Sequence, residues 1–241
     1  FVHDAHVVVS DGQQEWQLTE YCLSNLPQSV KDVAYQLLGI DPDLAGNNPD
    51  FDICAYLNFQ LQGEVNTTYT LTISTPEDTV TAVTSIPGPV GFDSLWTTPE
   101  PGQPDSLLAL WGMLDEPDSA GNYYRLFTQV NDNPFYPGIF GSVADDKLTN
   151  GQEFSFRIDR GWPRTADIDF ETFAFFEKGD TVVVKLASVD RAHYRFWRTY
   201  EEQLLSGGPF ATPSYIQGNV NGGLGIWGGY GAAYDTIIIP K

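Results

Sequence analysis

Tyr69-Thr-Leu-Thr-Ile73 alternates apolar and hydroxyl side chains. In an extended chain this puts Tyr69, Leu71 and Ile73 on one face and Thr70 and Thr72 on the other, the pattern of a half-buried strand. Working outward, Thr79–Ser85 and Ala55–Leu61 read as further strands. So do Val7-Val-Val9, closed by an Asp11-Gly12 turn, and a second strand starting at Trp16-Gln-Leu18. Beyond residue 90, Leu107–Leu114, Tyr123–Val130, Glu153–Ile158, Thr172–Phe176, Thr181–Ala187 and Thr236–Ile239 continue the series. Turn-rich segments separate them.

Two stretches carry helical rather than strand spacing. Residues 28–39 place Val30, Val33, Ala34, Leu37 and Leu38 on one stripe, with Gly39 as a stop. Residues 190–205 align His193, Trp197, Tyr200 and Leu204, with Asp190 as cap and Gly207-Gly208-Pro209 as terminator. Ile86-Pro-Gly-Pro89 denies both helix and ladder, so it reads as a linker. The expected fold is mainly β, with two β-sandwich domains of immunoglobulin- or transthyretin-like kind. The first spans 1–87 with a helical insertion at 22–54, and the second spans 88–241 with the helix 190–205.

Charge limits the partners. The 241 residues hold 12 Lys+Arg and 32 Asp+Glu, a net charge of −20. This argues against nucleic acid, whose binding needs a positive footprint. Residues 1–124 contain one basic residue, Lys31, against 18 acidic ones, and so hold −17 of that charge. No apolar run reaches the length that spans a bilayer.

No catalytic constellation stands out, so no catalytic, cofactor-binding or metal-binding residue is assigned. His3 and His6 cannot share one strand face, and His193 lies on the distant helix. The acidic groups at 41–52, Asp145/Asp146 and Asp167/Asp169 offer calcium-type oxygens but match no EF-hand loop, and read as solvated turns. Gly218–Gly231 lacks the Lys-Ser/Thr of a phosphate loop; its Trp227 and Tyr230 read as core residues, with ring stacking on a sugar or peptide as the alternative. Cys22 and Cys54 are either a disulfide or two buried thiols. Asp followed by Ser or Thr and a small or aliphatic residue occurs at Thr79, Ser94, Ser106, Ser119, Thr181 and Thr236, against about one expected by chance. Turn-to-strand transitions account for the pattern equally well.

An ordered set of motifs adds a resemblance. Asp93-Ser-Leu95, Gly121-Asn-Tyr-Tyr-Arg125, Asp145-Asp146, Asn150-Gly-Gln152 and Gly179-Asp-Thr-Val182 occur in sequence. Tyr194-Arg-Phe-Trp-Arg-Thr199, Gly208-Pro-Phe210 and Gly218–Tyr230 follow. Together they resemble the Bacteroidota envelope lipoproteins of domain-of-unknown-function family 4249, best over residues 60–240. The resemblance implies a non-enzymatic, lipid-anchored outer-membrane protein, on the cell surface or the periplasmic face, whose anchor lies outside this chain segment. It also implies a SusC-type TonB-dependent transporter as partner, for which the chain is an accessory subunit or ligand-capture subunit. The alternatives are a glycan- or peptide-degrading enzyme of the same locus and a calcium-dependent adhesion module. An envelope setting further implies a Cys22–Cys54 disulfide, and O-glycosylation at some of the six Ser/Thr residues above. No cofactor is implied.

Overall fold

Alternation becomes burial along β1 (His6–Ser10), where Val7 and Val9 turn inward while His6 stays exposed. The computed structural model describes residues 2–25, 27–28, 30–31, 53–206 and 215–241. The helix read at 28–39 and the acidic loop at 41–52 fall largely outside the described residues. After β1 come β2 (Glu15–Cys22), β3 (Cys54–Leu57), β4 (Thr67–Ser74) and β5 (Thr79–Ile86). There follow β6 (Ser94–Pro99), β7 (Leu107–Asp115), β8 (Tyr123–Val130), β9 (Tyr136–Pro137) and β10 (Val143–Asp145). The chain ends through β11 (Glu153–Ile158), β12 (Phe176–Glu177), β13 (Thr181–Val189), helix α1 (Arg191–Leu205), β14 (Val220–Asn221) and β15 (Tyr230–Ile238). The molecule is mainly β with several antiparallel sheets and, among the described residues, one α-helix. No helix in them is long and apolar enough to cross a membrane.

The chain divides into two compact units. One comprises Phe1–Gln62, Tyr69–Val83 and Val220–Gly223; the other comprises Gly63–Thr68, Thr84–Asn219 and Leu224–Lys241. A six-stranded sheet runs in the order β14-β5-β4-β1-β2-β3. The β1–β2 turn is set by Asp11, whose carboxylate accepts from the Gln13 and Gln14 amides, and by Gly12 at φ +88°. β3 ends early because the Asn58 carboxamide oxygen takes the Gln60 and Leu61 amides that would extend the ladder.

The second unit holds two further sheets, β10-β8-β13-β15 with β9 on β8, and β11-β7-β12 with β6 on β7. Their inner faces share one core: Leu108, Leu110 and Ile158 from one sheet meet Val130, Val182 and Val184 from the other around Phe176. Gly112 lies in mid-strand because a Cβ there would come within 2.7 Å of the Phe92 ring. Two sequence expectations are corrected. Thr172–Phe175 is a turn rather than a strand, since the Asp169 carboxylate accepts from the Glu171 amide and the Thr172 hydroxyl, leaving only Phe176–Glu177 to pair. The helix stripe stops short of Leu204, which is 53% exposed; the buried helix residues are His193 and Tyr194.

Phe176 is wholly buried between the two sheets of the second unit. Phe176→Ala should therefore lower unfolding free energy by about 3–5 kcal/mol, read from the urea midpoint at an unchanged slope.

Candidate ligand-binding pocket

Strand register in the second unit assembles a pocket on the outer face of the β8-β13-β15 sheet. Side chains alternate, so Val182, Val184 and Leu186 of β13 go to the core while Lys185, Ala187 and Val189 take the other face. Three cross-strand rows result: Tyr123–Val189–Tyr230, Arg125–Ala187–Ala232 and Phe127–Lys185–Tyr234. The middle row carries two alanines between rows of aromatic residues, and this lack of side-chain volume opens a cavity of about 390 Å³. Its walls include Phe127, Lys185, Tyr230, the α1 residues His193 and Trp197, and Gly228.

α1 is anchored over this face by its cap. The Asp190 carboxylate accepts from the His193 amide through one oxygen, and through the other from the Thr84 hydroxyl and the Ser85 amide. Trp197 consequently lies over Arg125, whose guanidinium carbon stands 3.4 Å from the indole centroid and 4.8 Å from that of Phe127. Gly228 lets the glycine-rich segment approach: a Cβ there would fall 2.6 Å from His193 Nδ1.

Two cationic side chains, Arg125 and Lys185, line the cavity. Arg125 is 8% exposed, and burial holds its guanidinium down to about 10, opposed by the charge of Glu201. It remains cationic at neutral pH. Arg125 Nε donates to Ser142 Oγ at 3.0 Å, and that hydroxyl donates onward to Glu201. Lys185 Nζ donates to the Tyr230 hydroxyl at 2.9 Å and sits over the Tyr230 and Phe127 rings. Among the described residues neither cation has a carboxylate within ion-pair distance. Burial, with Arg125 adding to it, pushes His193 down to about 4, so its imidazole is neutral. Among the described residues the buried His193 Nδ1 and Trp197 Nε1 atoms have no hydrogen-bond partner. Such a cavity offers an anion charge-assisted hydrogen bonds, and offers a ring or apolar body aromatic faces.

The residues singled out from sequence are dispersed. Cys22 and Cys54 face each other across β2 and β3 in the first unit, joined as a disulfide. Thr79, Ser94, Ser106, Ser119, Thr181 and Thr236 are all exposed, mostly at strand starts. Asp145 takes Lys147 and the Tyr194 hydroxyl. Buried Asp146 accepts from the Gly121 and Asn122 amides, so part of the Gly121–Arg125 motif is a turn lock. Tyr230 is 45% exposed and lines the pocket, which corrects its assignment to the core. Trp227 is half-buried, its backbone clasped by the Asn219 side chain. Sequence reading missed Arg125 and Lys185 as site residues. The available signal was Lys185, a charge inside the otherwise apolar Thr181–Ala187 run.

Residues 1–235 match the family described as Domain of unknown function (DUF4249), and the chain belongs to that family. No curated protein and no solved structure matches it.

His193 gives a pH test. Its folded value of about 4 lies below the ordinary 6.5, so between these values the unfolded chain binds the extra proton. Stability should be complete above about pH 6.5 and fall as pH drops toward 4, by on the order of 3 kcal/mol. Urea denaturation of wild type against His193→Gln isolates this share, which the variant should lack.

Proposed function

We propose that this member of the DUF4249 family is a non-enzymatic, extracytoplasmic capture protein with two β-sandwich domains. In this reading it is held at the outer membrane by a lipid anchor and serves a SusC-type TonB-dependent transporter. Its ligand is an organic anion, a carboxylate beside a ring, received by Arg125 and Lys185. The observation that carries the reading is the cavity itself: two cations without ion-pair partners among the described residues, set among Phe127, Trp197 and Tyr230. A guanidinium stacked on an indole keeps its N–H edge free for a carboxylate. A disulfide between Cys22 and Cys54 suits an oxidising compartment. The transporter assignment rests on the family resemblance.

Titration calorimetry with galacturonate oligosaccharides and their methyl esters tests the ligand class. The acid should bind and the neutral ester bind at least about tenfold more weakly, since a charge-assisted hydrogen bond contributes roughly 1.5–3 kcal/mol. Lys185→Met should cost about 10–100-fold in affinity for the acid by the same measure. Equal affinity for acid and ester, or none for either, contradicts the ligand class. Affinity purification from the native membrane should bring down a TonB-dependent barrel protein in near-stoichiometric amount; its absence contradicts the partner.

A further inference from the structure

We infer that reduction of the Cys22–Cys54 disulfide turns one face of the first unit into a tetrahedral site for a zinc-like divalent ion, with His3, Glu20, Cys22 and Cys54 as ligands. The inference is independent of the pocket. Strand period places Glu20 and Cys22 on one face of β2, and the register sets Cys22 opposite Cys54 and Glu20 opposite Tyr56. The N-terminal segment supplies the fourth donor. Asp4, at φ +56°, turns the chain so that His3 lies over the strands, with Nδ1 2.6 Å from Glu20 Oε1 and 3.6 Å from Cys54 Sγ. Cys22 Sγ stands 3.4 Å from the same Glu20 oxygen. One donor atom from each of the four residues lies within 4.8 Å of all the others.

These separations suit the coordination. Metal–ligand bonds of about 2.0–2.3 Å imply tetrahedral edges of about 3.3–3.8 Å. One sulfur–nitrogen edge, Cys54 to His3, and one sulfur–oxygen edge, Cys22 to Glu20, are already there. The His3–Glu20 contact must relax outward, and the sulfurs separate once their bond is broken. Supporting contacts are in place as well. Glu20 Oε2 accepts from the Asp4 amide at 2.9 Å, which leaves Oε1 for the metal. The Tyr56 hydroxyl accepts from the Ala5 amide and contacts Val2 O and Glu20 Oε2, tying the N-terminal segment to the carboxylate. A cleft of about 570 Å³ lined by His3, Glu20 and Cys22 offers entry, and the His3 side chain is 52% exposed.

The chemistry balances with a phosphine as reductant. The disulfide takes two electrons and two protons and yields two thiols, while phosphine and water yield phosphine oxide. The ion then binds both sulfurs as thiolates and releases two protons. Oxidised, the face offers only His3 and Glu20. Reduced and loaded, the metal replaces the covalent cross-link between positions 32 residues apart.

Cobalt(II) titration of the whole chain tests this. Phosphine-reduced protein should give thiolate-to-cobalt charge transfer in the near ultraviolet and strong visible bands of a tetrahedral ion, saturating at one equivalent and bleached by zinc. Oxidised protein should show neither. His3→Ala and Glu20→Gln should each weaken cobalt affinity at least tenfold and shift the visible bands, with the circular dichroism of the protein unchanged. A reduced wild type with no charge-transfer band, or with octahedral bands alone, overturns the inference. So does a site whose affinity and spectrum are the same in both variants, because two cysteines alone would then explain it.

Discussion

β13 is paired along all nine residues to β15 and along eight to β8, and this double ladder sorts the second unit. Because both neighbours are locked in register, a residue of β13 has only two destinations, and period two assigns them in turn. Val182, Val184 and Leu186 become core; Lys185 and Ala187 become pocket wall and floor. A slip of one residue on β13 would bury Lys185 among Leu110 and Phe176 and turn Val182, Val184 and Leu186 to the pocket face. The ladder is thus the shared origin of the stable interior and the pocket face.

The pocket face is held by unlike means. Arg125 is deeply buried and has no ion-pair partner among the described residues, a costly placement for a charge. The indole and phenyl faces, and the hydroxyl of Ser142 backed by Glu201, offset part of that cost. Burial lowers the Arg125 guanidinium, and burial together with the Arg125 charge lowers His193 beside it.

Much of the secondary structure could be read from sequence because the signals are local. Alternation marked β4, β-branched and aromatic runs marked β1, β5, β8 and β13, and the spacing from His193 with Asp190 as cap marked α1. Which face of each strand is covered could not be read, since alternation names two faces without saying what lies over either. The pocket depends on Arg125, Ala187 and Ala232 standing in one row, and they meet only through cross-strand register. Two-residue strands such as β9, β12 and β14 have no period to detect. At Asp169 a side chain captured the local donors and defeated a strand-like composition. His3, Glu20, Cys22 and Cys54 likewise converge only when β2 and β3 pair.

β14 has a consequence in time. Val220 and Asn221 pair with Ala82 and Thr81 at the border of the six-stranded sheet, and residues 220–223 belong to the first compact unit. During synthesis about 140 residues must be made after β5 before its partner exists, which makes this one of the most non-local pairings in the chain. Until then β5 carries a free edge, the kind of surface that recruits foreign strands. Completion of the first unit is therefore a late event, waiting on the synthesis of residues 220–223.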